Sequence, residues 1–143
     1  MVNKSFIYFI YSLIIVLFVF WSCTSSPRYT SLKTEYGVSS YYGYNDGFHG
    51  KRTANGEIFN QHALSAAHKT LPLNTIVRVT NLSNNKSLIL RINDRGPYIK
   101  GRILDCSYGA AKKLGFIAQG TTKVRIELIE VGDNKYMKHK SGS

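Results

Sequence analysis

The feature that most constrains the fold is a series of short strand-like segments separated by turns rich in Gly, Asn and Asp. They occupy residues 36–42, 75–81, 86–93 and 122–131, and the alternation of apolar and polar residues within them is typical of strands that bury one face. The turn at residues 82–85 joins the second segment to the third, so we predict a β-hairpin there. This pattern predicts a mainly β domain.

Helix signals are confined to one segment, residues 107–114. Ser107 carries the hydroxyl that helix N-caps favour, and Gly115 stands where such a helix would end. A further strand-like run, Ile103 and Leu104, comes shortly before it. Many short strands with one helix predict a small closed β-barrel.

The N-terminus has the pattern of an export signal. A positive charge at Lys4 precedes an apolar run over residues 6–21, and Ser22 and Cys23 follow. We predict a signal peptide at residues 1–22 with a lipobox-like end, and Cys23 as the lipidated first residue of the mature chain. The alternative is an uncleaved anchor, because the run is only slightly shorter than the ~20 residues that span a bilayer. Either interpretation tethers the domain to a membrane, facing the periplasm or the wall.

The rest of the chain divides into a linker, one domain and a tail. Residues 23–35 are polar, with several Ser and Thr residues and a Pro, as in a linker. Residues 36–132 form the predicted barrel. The lysine-rich residues 133–143 are predicted to be a solvated, disordered tail.

The chain is strongly basic, with a net charge of +11. Such a charge attracts polyanions, but the basic residues are scattered and no motif of a nucleic-acid-binding module occurs. We therefore expect no nucleic-acid partner. A cell-wall polymer or an anionic membrane surface fits an exported domain better, and we expect the domain to be a monomer.

Two cysteines occur in the chain. If Cys23 is lipidated, Cys106 has no partner for a disulfide, and its place beside a strand-like run predicts a small buried side chain. The alternative is a nucleophilic thiol. Because His49, His62 and His68 lack the spacing of a zinc motif, we assign no metal and no cofactor.

Two of the eight acidic residues end strand-like runs, each near an arginine and turn-forming residues. Asp94 precedes Arg95, and Asp105 follows Arg102 in the same short segment. A carboxyl group held near a glycosidic bond can cleave it by acid catalysis. The alternatives are local: Asp94 caps the turn that follows it, and Asp105 caps the helix or pairs with an arginine.

Five motifs occur in order between Gly37 and Val131, over nearly the entire predicted domain. They are Gly37-Val38-Ser39-Ser40-Tyr41-Tyr42-Gly43, Phe48-His49-Gly50-Lys51-Arg52-Thr53-Ala54-Asn55-Gly56-Glu57, Ala66-Ala67-His68-Lys69-Thr70-Leu71-Pro72-Leu73, Val77-Arg78-Val79-Thr80-Asn81 and Asn93-Asp94-Arg95-Gly96-Pro97. Together they resemble rare lipoprotein A, the bacterial septal-ring lytic transglycosylase family. The resemblance implies a six-stranded double-psi β-barrel with one or two short helices.

The resemblance also implies an activity. Members of the family cleave peptidoglycan glycan strands, in particular strands without stem peptides, between N-acetylmuramic acid and N-acetylglucosamine. The cleavage uses no water and leaves a 1,6-anhydro end, in cell-wall remodelling or daughter-cell separation. Because the C6 hydroxyl of the substrate attacks, one carboxyl group can act first as acid and then as base. The alternatives are a non-catalytic peptidoglycan-binding or expansin-like wall-loosening lipoprotein, and a structural lipoprotein that contacts an envelope protein.

The candidate site residues follow from the same resemblance. Glu57, His68 and Asp94 match positions that the family needs in its cleft, and the distantly similar expansins add Asp105. We expect Asp94 and Asp105 to be the acid and base, without assigning which carries the proton. Residues expected to bind substrate are Tyr42, Phe48, Arg95 and Asn55. Considered alone, His68 would be a structural histidine and Glu57 an exposed loop acid.

The pair of tyrosines at the end of the first predicted strand gives one more prediction. Tyr41 and Tyr42 are adjacent, and successive side chains of a strand point to opposite faces. One of the two is therefore predicted to lie in the core. The other remains available to stack on a sugar, as do Tyr44 and Phe48.

Overall fold

The computed structural model describes residues 33–137. This part of the chain forms six strands and one short helix, in the order β1 (Thr34–Tyr42), β2 (Ser65–His68), β3 (Ile76–Asn81), β4 (Ser87–Asp94), β5 (Arg102–Ser107), α1 (Tyr108–Leu114) and β6 (Thr122–Glu130). The predicted signal peptide, Cys23 and most of the predicted linker lie outside the described residues. No helix in the described range is long and apolar enough to cross a membrane.

The six strands close into a barrel in the order β1-β5-β2-β4-β3-β6. Two neighbouring pairs are parallel, β1 with β5 and β2 with β4, and the other pairs are antiparallel. The predicted mainly β barrel with a short helix is thereby confirmed. The hairpin of β3 and β4 is also present, with Val79 opposite Leu88.

The core fills the barrel with the inward-facing side chains of the strands. Its buried members come from strands β2 to β6 and from the segment that follows α1. They are Ala66, Val77, Val79, Leu90, Ile92, Leu104, Cys106, Val124, Ile126 and Phe116. Cys106 is the small buried side chain that the sequence predicts. Burial raises the pKa of its thiol to about 12, so the thiol stays protonated and is a poor nucleophile.

Strand β5 runs directly into helix α1. Ser107 is both the last residue of β5 and the N-cap of α1: its hydroxyl donates to the carbonyl of Ala63 and accepts from the N–H of Ala110 at 3.2 Å. Gly115 ends the helix at φ 77°, and its N–H donates to the carbonyl of Ala111 at 2.9 Å. The predicted helix and both of its caps are confirmed.

The structure differs from the sequence prediction at β2 and at the start of β1. The residues of β2 are all buried and none alternates with an exposed neighbour, so this strand lacks the apolar and polar alternation by which a half-exposed strand is recognised. Strand β1 begins two residues before the predicted boundary, where Glu35 pairs with Ile126 of β6. The last residues of the predicted linker therefore belong to the barrel.

Tyr41 and Tyr42 separate as the alternation predicts. Tyr41 packs against the core edge-on to Phe116, with 6.0 Å between ring centroids, and its hydroxyl donates to the carbonyl of Ile117 at 3.3 Å. Tyr42 points to the other side of β1 and lines a pocket.

The start of the predicted tail is attached to the barrel. The N–H of Asn134 donates to the carbonyl of Leu73 at 3.1 Å, and the side chain of Asn134 accepts from the N–H of Leu73 at 3.0 Å. The N–H of Met137 donates to the carbonyl of Asn55 at 2.7 Å. Residues 133–137 are thus held by hydrogen bonds, contrary to the prediction of a free tail, and residues 138–143 lie outside the described range.

Ser107→Ala is expected to lower the free energy of unfolding by about 1 to 2 kcal/mol, because it removes the cap of α1 and the bond to Ala63. Ser65→Ala is the matched control. Ser65 is equally buried, but its hydroxyl has no hydrogen-bond partner among residues 33–137, so its loss is expected to be neutral or slightly stabilising. Urea unfolding of both variants measures the difference, and equal destabilisation would contradict the assignment of the cap.

Candidate active site

The pairing of β2 brings two aspartates to one site. Ala67 is the register partner of Asp94 on β4 and also of Asp105 on β5. Neighbouring strands are about 4.8 Å apart, so the two aspartate backbones lie roughly 10 Å apart across β2. Because the residue between them is alanine, the space above it is open, and a pocket of about 180 Å³ is lined by Tyr42, Phe48, Ala67, Asp94, Arg95, Gly96, Pro97, Tyr98 and Asp105.

Asp94 is held by three hydrogen-bond donors. Its Oδ1 accepts from the N–H of Ala54 at 2.9 Å and from the N–H of Arg95 at 2.8 Å. Its Oδ2 accepts from the hydroxyl of Tyr42 at 3.3 Å. Donors of this kind favour an ionised carboxylate and fix its orientation.

Asp105 lies in a poorer hydrogen-bonding environment. Its Oδ1 accepts one hydrogen bond, from the hydroxyl of Ser40 on β1. Burial raises the pKa of Asp105, although the Ser40 hydrogen bond and the positive charges of Arg102 and Lys69 act in the opposite direction. Asp105 therefore keeps its proton to a higher pH than an ordinary aspartate does, which suits a proton donor.

Tyr42 forms one wall of the pocket beneath Asp94. Its ring stacks on Phe59, with centroids 4.4 Å apart and planes at 12°, and packs edge-on to Phe48 at 5.9 Å. Burial and the neighbouring charge of Asp94 raise the pKa of the Tyr42 phenol. The hydroxyl therefore remains a donor to Asp94 over the whole physiological range of pH.

Two exposed aromatic rings stand at the mouth of the pocket. Phe48 is 50% exposed and Tyr98 is 87% exposed. Arg95 also lines the pocket, but its Nη1 donates to the carbonyls of His68 at 3.2 Å and Leu71 at 2.8 Å. The guanidinium thereby holds the turn that follows β2.

Glu57 lies outside the pocket lining and belongs to a polar network beside it. Its carboxylate forms a two-pronged ion pair with Arg91, at 2.5 and 2.8 Å, and accepts from Asn93 at 3.1 Å. Burial by itself raises the pKa of Glu57, but the hydrogen bonds from Arg91, Asn93 and Asn55 and the Arg91 charge outweigh it and hold the pKa below its usual value. At neutral pH Glu57 is ionised and fully paired.

Asn55 is fully buried. Its Oδ1 accepts from the hydroxyl of Thr53 at 2.7 Å and its Nδ2 donates to Asn74 at 2.9 Å. A side chain without exposed surface cannot touch a ligand, so the structure is at odds with the substrate-binding role expected for Asn55. The residue instead shapes the loop whose Ala54 N–H binds Asp94.

His68 is buried on β2 and faces away from the lining of the pocket. Its Nδ1 accepts from the N–H groups of Thr70 at 3.2 Å and Leu71 at 3.1 Å, so Nε2 carries the proton and lies 3.3 Å from Glu35. Burial lowers the pKa of His68 in spite of the opposing charge of Glu35. The imidazole is therefore neutral at neutral pH and acts as a connector between β1 and the turn after β2.

Two further histidines among residues 33–137, His49 and His62, lie close to each other on the surface. The rings of His49 and His62 are 6.4 Å apart, and His49 Nδ1 accepts from the N–H of Gln61 at 3.2 Å. Within residues 33–137, no three His, Cys, Asp or Glu side chains come close enough together to hold a metal ion.

Residues 34–126 match the sequence profile of the family described as lytic transglycolase, a double-psi β-barrel domain. The chain belongs to this family. The resemblance to rare lipoprotein A that the five motifs indicate is confirmed, and the observed barrel is the one that the lytic transglycolase family implies.

Two curated relatives of this chain share the same name. The proteins of Campylobacter jejuni and Rickettsia felis, both named endolytic peptidoglycan transglycosylase RlpA, are 55% identical over 102 residues and 54% identical over 117 residues. The matches cover 71% and 81% of this chain but only 36% and 51% of those proteins. The chain thus spans between about a third and a half of the length of these relatives.

Solved structures support the fold of the domain. A Streptomyces papain inhibitor superposes with a TM-score of 0.55 at 18% identity, covering 68% of this chain and 96% of that protein. An expansin of Clavibacter michiganensis gives a TM-score of 0.55 at 16% identity, covering 68% of this chain and 51% of that one. At such identities the likeness concerns the barrel alone.

Five of the candidate site residues predicted from the sequence line the pocket. They are Tyr42, Phe48, Asp94, Arg95 and Asp105. The candidate site residues predicted from the sequence do not include Tyr98, Ala67 or Ser40. Tyr98 could have been found, since an aromatic residue directly after the Asp94-Arg95-Gly96-Pro97 motif stands next to the pocket. Ala67 and Ser40 gave no local signal, because their importance comes from strands paired across the barrel.

Glu57→Gln is expected to lower the free energy of unfolding by about 1 to 2 kcal/mol at neutral pH, because it weakens the pairing with Arg91. The folded pKa of Glu57 is depressed, so this stabilisation is present above the unfolded value of about 4.3 and is lost as the pH falls through the folded value. Urea unfolding between neutral pH and about pH 3 should show the free energies of unfolding of the unaltered protein and the Glu57→Gln variant becoming more alike as the pH falls. A variant with undiminished stability at neutral pH would refute the structural role.

Proposed function

We propose that this domain cleaves peptidoglycan glycan strands between N-acetylmuramic acid and N-acetylglucosamine, without water, and leaves a 1,6-anhydro end. The observation that carries the proposal is the pocket in which Asp94 and Asp105 flank Ala67. The two carboxyl groups differ in their surroundings, since Asp94 has three hydrogen-bond donors and Asp105 has one. Family membership and the names of the relatives support the same activity. Strands without stem peptides are the proposed substrate, as the resemblance to rare lipoprotein A implies.

In the proposed reaction Asp105 is the general acid. Its raised pKa keeps a fraction of the carboxyl groups protonated, and the proton passes to the glycosidic oxygen as the bond to the muramic acid C1 breaks. The leaving glycan becomes an alcohol and the sugar becomes an oxocarbenium-like cation. Asp105, now ionised, then accepts the proton of the C6 hydroxyl as that oxygen bonds to C1. The carboxyl group ends the cycle protonated, as it began.

Asp94 has a different role in the proposed reaction. Its three donors fix the orientation of its carboxyl group, and a carboxylate held next to the pocket would stabilise the positive charge that develops on the sugar ring. Hydrolytic glycosidases use a second carboxyl group as nucleophile or to activate water. In the proposed reaction the C6 hydroxyl of the substrate takes the place of the nucleophile and of water, so Asp94 does not have to perform either function.

Phe48 and Tyr98 are proposed to bind the sugars on the two sides of the scissile bond. Each ring is exposed and lines the pocket, and the face of an aromatic ring packs well on the apolar face of a pyranose. Tyr42 and Arg95 complete the site, Tyr42 by orienting Asp94 and Arg95 by holding the turn after β2. We propose that Glu57, His68 and Asn55 support these loops and do not touch substrate.

The domain is proposed to work outside the cytoplasm, where its substrate is. Residues 1–22 would act as a signal peptide that is removed on export, and a lipid on Cys23 would tether the domain to the cell envelope. Loss of Lys4 leaves a net charge of +10, which favours the anionic wall. A monomer suffices, because every residue of the proposed site comes from one barrel.

Asp105→Asn and Asp94→Asn are each expected to reduce the rate of cleavage by roughly a hundred- to ten-thousandfold, because one removes the acid and the other the stabilising charge. Peptide-free glycan strands would be digested, and mass spectrometry would count anhydro ends, which are one water lighter than hydrolysed ends. Asp133→Asn is the control, since Asp133 is an exposed aspartate outside the pocket. Full activity of both pocket variants would refute the mechanism, and sacculus binding without new ends in the unaltered protein would favour the binding-module alternative.

Tyr98→Ala is expected to weaken the binding of glycan strands by roughly three- to tenfold while the protein remains as stable as before. Tyr98→Trp should retain binding, because it preserves an aromatic face. The control is Tyr36→Ala, which removes a tyrosine that is 64% exposed and does not line the pocket. Binding isotherms of the Asp105→Asn protein with these second substitutions measure affinity without turnover. Equal affinities for the alanine and control variants would exclude Tyr98 from the site.

A further inference from the structure

Ser40 and Arg102 form a chain of hydrogen bonds that ends on Asp105. Ser40 lies on β1 and is the register partner of Asp105 on the parallel strand β5. Its hydroxyl donates to Oδ1 of Asp105 and accepts from Nη1 of Arg102 at 3.0 Å. Ser40 is only 3% exposed, so water does not compete with these contacts.

The direction of this chain is unambiguous. A guanidinium has donors only, so the contact between Arg102 and Ser40 uses a lone pair of the hydroxyl oxygen. The single proton of Ser40 is therefore left for Asp105. Because donation towards a carboxyl oxygen favours its ionised form, the arrangement opposes the effect of burial on Asp105.

We propose that Ser40 and Arg102 are positioning residues that orient the Asp105 carboxyl group and set the pH at which it releases its proton. The catalytic meaning of this inference rests on the proposed function, in which Asp105 is the general acid. The hydrogen-bond chain itself is a property of the folded domain and can be tested without substrate.

The surroundings of Asp105 explain why such a device is useful. Charged or titratable groups face it from each neighbouring element: Arg102 on β5, Lys69 after β2, Tyr42 on β1 and Asp94 across the pocket. Burial raises the pKa of Asp105, and Ser40, Arg102 and Lys69 lower it. Ser40 donates to one specific oxygen of Asp105 and Arg102 donates to Ser40, whereas Lys69 is an exposed charge whose effect salt screens.

The neighbouring residue Ser39 provides a matched control. It is also buried on β1, but its hydroxyl donates to the backbone carbonyl of Ser40 at 3.1 Å and faces Cys106, with 3.5 Å between Oγ and Sγ, on the core side of the strand. Removal of either hydroxyl leaves a similar defect in the interior. Only the Ser40 hydroxyl contacts the Asp105 carboxyl group.

The experiment measures the titration of Asp105 in the full-length chain by carbon-13 NMR of its carboxyl group, together with the pH dependence of glycan cleavage. Ser40→Ala is expected to raise the titration midpoint by about one pH unit and to move the alkaline limb of the activity profile by the same amount. Arg102→Gln should shift it in the same direction. Ser40→Thr, which keeps the hydroxyl, should restore the original midpoint, and Ser39→Ala should leave it unchanged.

The double variant Ser40→Ala, Arg102→Gln tests whether Arg102 acts through Ser40. If it does, the shift of the double variant is smaller than the sum of the two single shifts. Additive shifts, or a midpoint that Ser40→Ala does not move, would overturn the inference. If Ser40→Ala fails to fold, Arg102→Gln decides, because Arg102 is only half-buried and its loss empties no interior space. Absence of cleavage by the unaltered protein would count against the proposed function alone, since the NMR titration still decides the role of Ser40 and Arg102.

Discussion

The site depends on the double pairing of one short strand. Strand β2 has four residues, yet it pairs with β4 on one edge and β5 on the other, and Ala67 is the partner of both Asp94 and Asp105. Backbone hydrogen bonds on both sides hold the carboxyl-bearing strands at a constant separation. The small side chain of Ala67 leaves the space between them open, so the barrel itself creates the pocket.

Within that pocket the protein gives two chemically identical groups different environments. Asp94 receives three donors from a loop, a turn and a tyrosine, whereas Asp105 receives one, from Ser40. Burial raises the pKa of Asp105, because its few polar partners do not outweigh the loss of contact with water. The division of labour that we propose, between an acid and a charge-stabilising group, rests on this difference in hydrogen bonding at the two carboxyl groups. Beside the pocket, the ion pair of Glu57 with Arg91 holds the loops that supply those donors.

Local signals predicted much of the fold and some of the site. Alternation located the strands of the β3–β4 hairpin and β6, and the cap residues Ser107 and Gly115 located the helix. Strand β2 was not predicted, because a strand buried on both faces shows no alternation. Among the site residues, Asp94 was predicted correctly as an acid that ends a strand, whereas Asp105 lies inside β5, which continues to Ser107 because it pairs there with β1. Glu57 and His68 were grouped with these two aspartates, although the structure gives both their own partners outside the pocket.

What the sequence by itself determined is what acts over a few residues: the strands that alternate, the caps of the helix, the ordered motifs that identify the family and the acids that can donate a proton. The tertiary structure alone decided which of these acids share a pocket, which are fully paired and which one has a raised pKa. The physical reason is that closure of the barrel pairs strands distant in the chain. Burial and hydrogen bonding across those pairs leave no trace in the local sequence.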